Sequence, residues 1–396
     1  MYKNALPFWK KFNDTELEQT KLNWQSFIKT IPDYPHGNYS GYGIVTSTSA
    51  NSGYIGTFQR TLAQIKLLRW LNCQLPIEIY SFSDELNETE VFILETVSDV
   101  QVKFIDQVVD NESRNLSRYA IKPNAIIQSR FEHVLWLDSD NIPIKDPTYL
   151  FHTQHYKKST AMFWPDFWIG SSMSPIWRVL DLECRQEDYE QESGQILIDK
   201  KKAWKPLNLA VHFNRDPVIQ NIWLGDKDTF RLAWKVLKVP FHFVRKFLAI
   251  GGFLYTRIDR NGTRLPGINF CGHTMIQHDH KGDIIFLHSN AIKYNPNIKY
   301  PVELNSRISK PNPWKIYRRY SNTHAYFRPQ VIQDSFAFCT YLPTGESGHY
   351  PPIFETDMHT LVSPNITEKY VEFGGLVLEE RKRKPNETEI EVVDSI

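Results

Sequence analysis

The sequence predicts an α/β fold, a mostly parallel Rossmann-like sheet flanked by helices, and three observations carry that expectation. Apolar, strand-like runs alternate with helix-like runs between residues 43 and 137, the order that builds right-handed parallel sheets. One of these runs, His133-Val134-Leu135-Trp136-Leu137, is almost wholly apolar, as befits a strand buried on both faces. It ends in Asp138-Ser139-Asp140. Side chains two apart on an extended backbone leave the same face, so both carboxylates can address one object beyond the strand's carboxyl end, where ligands of open α/β sheets sit.

Taken in order, residues 1–40 are polar, with Trp9, Phe12, Trp24 and Phe27 set among charges, and read as a helical lead-in. Gly43 to Thr48 is the first core strand, followed by a polar loop at Ser49-Ala50-Asn51-Ser52-Gly53 that can cradle a nucleotide ahead of a helix start. That helix spaces Phe58, Leu62, Ile65 and Leu68 by four and three, and Pro76 stops it. Ile77–Phe82 and Val100–Ile105 are the next strands. Pro123 suits the first turn of a helix and puts Lys122 at its start, facing the same edge as Asp138. The aromatic run Met162–Trp168 carries Asp166 in its middle, and Gln191–Asp199 is a further strand entered through Gly194. Asp226 and Asp228 precede a helix with Phe230, Trp234 and Leu237 on its buried stripe. Ile284–Asn290 is an apolar run in which His288 sits where an imidazole can complete a metal site begun by two carboxylates. The histidines at 273, 278 and 280 fit no usual zinc spacing and read as a polar hairpin. The domain expectation is a stem over 1–40, a catalytic unit over 41–300, and a C-terminal extension over 301–396 ending in a disordered tail.

Composition narrows the classes. A chain of 396 residues with 41% hydrophobic content buries a sizeable core, and a net charge of +1 argues for no nucleic-acid partner. The basic run Arg381-Lys382-Arg383-Lys384 reads as a solvated tail. The lack of a G-x-G-x-x-G or Walker pattern removes dinucleotide and P-loop chemistry. No stretch approaches the roughly 18 apolar residues of a membrane span. Asn-x-Ser/Thr acceptors at Asn13, Asn38, Asn87, Asn111, Asn115, Asn261, Asn365 and Asn386 favour a lumenal or extracellular protein. Cys73, Cys184, Cys271 and Cys339 leave either two disulfides or buried thiols open.

Together, the segments Arg118–Phe151 with its Leu-Asp-Ser-Asp-Asn-Ile-Pro centre, Trp164–Trp168, Gln191–Gln195 with Ile198-Asp199-Lys200, Gly225–Phe230, and Gly272–Met275 with Phe286-Leu287-His288 resemble a known family. It is that of the fungal α-mannosyltransferases of N-glycan outer chains and cell-wall mannan, glycosyltransferase family 71, α1,2 and α1,3 enzymes of GT-A type. The resemblance covers roughly residues 42–295. It implies a GDP-mannose donor, a mannose-containing glycan acceptor, Mn²⁺ (or Mg²⁺), and transfer with retention. Its metal ligands would be Asp138, Asp140 and His288. Its donor contacts would be Lys122, Asp138, Ser139, Asp140, Gly194, Gln195 and Lys293. Glu192, Asp226 and Asp228 are the candidate nucleophiles, front-face attack staying open, and Lys122 is the catalytic cation. The family also implies the Golgi lumen and an N-terminal membrane anchor that this sequence does not contain. A same-fold transferase using UDP-glucose or UDP-galactose, or a sugar-binding module without catalysis, are the alternative readings.

Overall fold

The structure, a computed structural model, describes residues 9–50, 56–105, 120–185, 189–223, 225–258, 266–267, 269–290, 298–299, 313–319, 330–334, 337–341, 353–376 and 389–393. The chain divides into two compact units, residues 1–51, 74–138 and 148–245 forming the first, and 52–73, 139–147 and 246–396 the second.

The first unit opens with helix α1 (Asp14–Thr30), whose N-cap Asn13 accepts from the Glu16 N–H. Its Trp24 indole donates to the Val179 carbonyl and so fastens the helix to the core. The unit's sheet is built from β1 (Tyr42–Ser47), β2 (Ile77–Phe82), β3 (Val100–Ile105) and β4 (His133–Leu137), with β6 (Ala161–Ile169), β7 (Tyr189–Asp199) and the short β8 (His242–Phe243). The strand order is β3-β2-β1-β4-β7-β6-β8. β3, β2, β1 and β4 are mutually parallel, and β7 pairs antiparallel with both β4 and β6. The expected mostly parallel sheet is therefore present, with β7 as its one reversed strand. Ile44, Val134, Leu135, Leu137, Ile196 and Ile198 are all fully buried, so the central strands are apolar on both faces. Gly43 is required beside them, because a Cβ there would lie 2.4 Å from the Phe131 ring.

Within the second unit lie α2 (Thr57–Trp70), β5 (Asn141–Pro143), β9 (Ala249–Ile258), β10 (Asn269–His278) and β11 (Ile284–His288). The last four form an antiparallel run in the order β9-β10-β11-β5. The buried face of α2 is wider than the stripe its apolar residues define, since Arg60, Thr61 and Gln64 are buried while Phe58 and Leu62 are only partly so. The reason is specific: the Gln64 amide donates to the Asn141 carbonyl at 2.6 Å. The β10–β11 hairpin is present, but His273 and His278 are buried inside it. They pair with the Pro313 carbonyl and the Tyr317 hydroxyl, so these residues are core polar groups and not a polar surface. Glu389–Val393 pairs antiparallel with β9, and Arg381–Lys384 lies outside the described residues. Cys271 is disulfide-bonded, whereas Cys73 and Cys184 are thiols.

Helix α4 of the first unit (Ile121–Gln128, with α3 at Glu88–Glu95) carries Lys122 at its start and is capped at its far end by a second buried lysine. Lys200, directly after β7, donates to the carbonyls of Ser129 and Ile127 and to the Ser129 hydroxyl, with the Tyr39 ring 3.6 Å away. A cation suits a helix carboxyl end, but burial pushes this ammonium down to about 7. Between that value and 10.5 the unfolded chain binds a proton that the folded chain lacks, so this group's contribution to stability rises with pH across that window. Lys200→Met removes the rise. The stability difference between wild type and variant, from urea melts at pH 7, 8 and 9, should grow by up to about 1.4 kcal/mol per pH unit. A difference constant with pH would show that Lys200 keeps its charge throughout.

Candidate active site

The carboxyl edge of the first unit's sheet gathers charge around Lys122. β4 ends at Leu137, and the next amide, of Asp138, donates to the Gly194 carbonyl at 2.8 Å, which continues the ladder with β7. The Asp138 carboxylate accepts from the Trp136 indole at 2.6 Å and meets the Lys122 ammonium at 3.0 Å. Lys122 is the second residue of α4, and Pro123, which has no N–H to satisfy, follows it in the first turn. Its Nζ also reaches Asp226 at 2.8 Å and donates to the carbonyl and hydroxyl of Ser193 at 2.8 and 2.9 Å. Burial acts to lower this ammonium's pKa, but Asp138 and Asp226 outweigh it and hold Lys122 above the usual lysine range.

Gly225, with φ at +107°, turns the chain into α6 (Lys227–Val236, with α5 at Trp204–Arg215). Three charges follow in a row, each with its own partner. Asp226 goes to Lys122 at 2.8 Å, and Lys227 goes to Asp166 and Glu190, 2.6 Å from each. Asp228, on the buried side of the first turn, accepts from the Arg231 guanidinium at 2.9 Å and from the Gln191 N–H at 3.1 Å. Glu192 accepts from the Gly194 N–H at 2.7 Å and the Gln195 amide at 2.8 Å. Of the three candidate nucleophiles, Asp226 has a side chain 15% exposed, against 1% for Asp228. Glu192 is 5% exposed. Gly194 and Gln195 spend these groups on Glu192 and on the end of β4.

In the second unit, β5 pairs with β11 so that Asn141 lies opposite His288. The residue before that pair is Asp140, whose carbonyl accepts from the Ser289 N–H at 2.9 Å and whose carboxylate lies 3.2 Å from His288 Nε2. Asp140 is 3% exposed and His288 7%. Oxygen and imidazole donors at that separation fit adjacent positions on one ion with bonds of about 2.1 Å. Asp138 precedes Asp140 by two residues, and the chain crosses from the first unit to the second between them. Ser139 is half-buried there. Lys293 and residues 51–53 of the polar loop lie outside the described residues.

Five participants in these contacts are not among the residues that the sequence marks as the site. Trp136 stands two before Asp138, so strand alternation places its indole on the carboxylate's face, a signal that was available. Ser193 sat inside a recognised segment with no mark of its contact to Lys122. The pairing of Asp166 and Glu190 through Lys227 depends on strand register and has no local sequence signal.

A mannosyltransferase family model matches residues 41–178 and 177–279, and the chain belongs to that family. Among its relatives, alpha-1,2-mannosyltransferase MNN21 of Candida albicans is 26% identical over 384 residues, covering 77% of this chain and 56% of the relative. Alpha-1,2-mannosyltransferase MNN2 of Saccharomyces cerevisiae is 26% identical over 312 residues, 66% of this chain and 49% of the relative. The chain thus spans about half the length of these relatives. Among solved structures, the galactosyltransferase LgtC bound to donor and acceptor sugar analogs covers 51% of this chain and 73% of its own, at 12% identity and a TM-score of 0.37. Mouse xyloside xylosyltransferase 1 covers 51% and 85% at 14% identity, with a TM-score of 0.34.

Proposed function

We propose that the chain is a metal-dependent retaining α-mannosyltransferase that moves mannose from GDP-mannose to a mannose-containing glycan and forms an α1,2 link. The observation that carries this reading is Lys122, one buried ammonium shared by Asp138 of the Asp-x-Asp and Asp226 of the Gly-Asp-Lys-Asp segment. It ties the residue expected to hold the diphosphate to the residue expected to face the sugar. The relatives' activity supports the sugar and the linkage.

Bond breaking leaves charge on the departing diphosphate and makes the sugar oxocarbenium-like. Asp138, Asp140 and His288 would hold Mn²⁺ or Mg²⁺, which when bound supplies charge neutralisation at the diphosphate. Lys122 adds a fixed positive charge that needs no reorganisation. Asp226, the most exposed of the three candidate carboxylates, is the one placed to stabilise the cationic sugar, as nucleophile or as neighbour in front-face attack. A diphosphate leaves without a general acid, and none is assigned.

The proposed setting is the Golgi lumen. In its support, the described acceptor asparagines Asn13, Asn38, Asn87 and Asn365 are all exposed. Asn13 and Asn87 use their side-chain oxygens as helix caps, which leaves the amide nitrogen for a glycan. Among the described residues no helix is long and apolar enough to cross a membrane.

Incubation with GDP-mannose, short α-mannosides and Mn²⁺, followed by linkage analysis, should give an α1,2-mannoside, and chelation should stop its formation. Thermal-shift titrations separate the alternatives. Stabilisation by UDP but not GDP would replace the donor with another nucleotide sugar, and response to neither, with no donor turnover, would leave a sugar-binding module.

A further inference from the structure

We propose that Asp166, Glu190 and Lys227 form a subsite for a pyranose hydroxyl, beside the Asp226 carboxylate. The proposal rests on the glycosyl-transfer reading and adds to it a residue cluster that the metal and diphosphate chemistry does not use.

The cluster arises from register. β6 and β7 run antiparallel, with Trp164 opposite Glu192 and Pro165 opposite Gln191, which sets Asp166 and Glu190 on facing strands. β7 enters this stretch before it pairs with β4, whose last residue, Leu137, lies opposite Gln195. Residues 189–193 therefore extend past the end of β4, on the side where Asp138 emerges. Facing carboxylates repel, and burial raises the pKa of both. Lys227 resolves the conflict, with Nζ 2.6 Å from Asp166 Oδ2 and 2.6 Å from Glu190 Oε2. Burial acts to lower its pKa, but Asp166 and Glu190 hold it well above the usual range, so it stays an ammonium.

Its hydrogen bonds are not used up. An ammonium has three donors and these carboxylates take two; the Asp228 carboxylate, at 4.0 Å, is beyond hydrogen-bond reach. Glu190 Oε1 is buried without a donor, in a residue only 3% exposed. Burying an unmatched carboxylate oxygen is unfavourable. The accessible member is Lys227, whose side chain is 31% exposed against 9% for Asp166 and 4% for Glu190.

One open donor next to one unmatched acceptor is the complement of a hydroxyl, which both accepts and donates. A metal ion would meet the ammonium, and a phosphate would meet the carboxylates, so the arrangement favours a neutral polyol. Lys227 follows Asp226 directly in the chain, and Asp226 is already on Lys122. A sugar reaching Asp226 thus has Lys227 within its neighbourhood. The hydroxyl can belong to the transferred mannose or to the acceptor.

The test uses Lys227→Met and Lys227→Arg in the full chain, with GDP-mannose and a set of monodeoxy methyl α-mannosides as acceptors. In the wild type, deleting the recognised hydroxyl should lower kcat/KM at least roughly tenfold. In Lys227→Met that same deletion should cost nothing further, and Lys227→Arg should restore part of the discrimination. If the hydroxyl is the acceptor's, acceptor KM rises and the deoxy pattern collapses. If it is the donor's, GDP-mannose KM rises and the acceptor pattern is kept. Either arm supports the subsite. A folded Lys227→Met with wild-type constants, or one that loses kcat alone with both KM values and the deoxy pattern intact, overturns it. Should the methionine variant not fold, Glu190→Gln, which keeps shape and removes charge, is read by the same criteria. A wild type that neither transfers mannose nor hydrolyses the donor would instead sink the parent reading.

Discussion

Asp140→Ala should lower Mn²⁺-dependent transfer by at least about a thousandfold, or about 4 kcal/mol of transition-state stabilisation, and leave the protein folded. The two halves of this expectation come from different atoms of the same residue. Its carbonyl accepts from the Ser289 N–H, and Asn141, next along, is paired with His288 in the β5–β11 ladder. Those backbone bonds survive truncation. The carboxylate is what disappears, and it lies 3.2 Å from His288 Nε2. Removing it takes away one of the three proposed ligands and leaves His288 without its anionic neighbour, so both affinity for the ion and placement of the imidazole suffer. The measurement is kcat/KM across a Mn²⁺ titration, with a thermal melt as the folding control. His288→Asn should show a smaller loss, with the metal optimum moved to higher concentration. A mild loss in Asp140→Ala with an unchanged metal response would remove the carboxylate pair from the chemistry.

How far the sequence discloses this protein depends on whether the signal is local. The central strand was legible because four consecutive apolar residues ending at Leu137 admit few other placements, and the structure buries Val134, Leu135 and Leu137 fully. Lys122 was legible as a helix-start residue because proline restricts where it can stand in a helix. Its actual partners were not, since Ser193 is 71 residues away and Asp226 arrives through a turn at Gly225. The reversed direction of β7 was equally hidden. An apolar run such as Ile196-Leu197-Ile198 fits a parallel or an antiparallel neighbour, and only the pairing of Leu137 with Gln195 decides it. The burial of Arg60, Gln64, His273 and His278 shows the same limit from the other side. Polar residues read as surface unless a partner is known, and here the partners include the carbonyls of Asn141 and Pro313. Charge pairs such as Lys227 with Asp166 and Glu190 are set by register across strands, which no spacing rule within one segment reports.

Lys122→Met should reduce kcat by roughly two orders of magnitude, about 3 kcal/mol, with a smaller change in apparent donor affinity. Methionine keeps most of the side chain's volume and deletes its charge. In the wild type that charge sits between Asp138 and Asp226, at 3.0 and 2.8 Å, and is held further by two oxygens of Ser193. Such a group is fixed before substrate arrives, so its interaction strengthens only as charge builds on the departing diphosphate. That differential is what raises turnover. The same burial creates a second consequence. Without the ammonium, two carboxylates face each other in a place only partly open to water, and losing one partner of a buried pair costs about 3–5 kcal/mol. The variant should therefore melt earlier than wild type. Mn²⁺ should raise its melting temperature by more than it raises the wild type's, because the ion then replaces the positive charge lost beside Asp138. Near-normal kcat with weak donor binding would make Lys122 a ground-state anchor. Normal kinetics together with a large loss of stability would confine it to holding Asp138 and Asp226 in place.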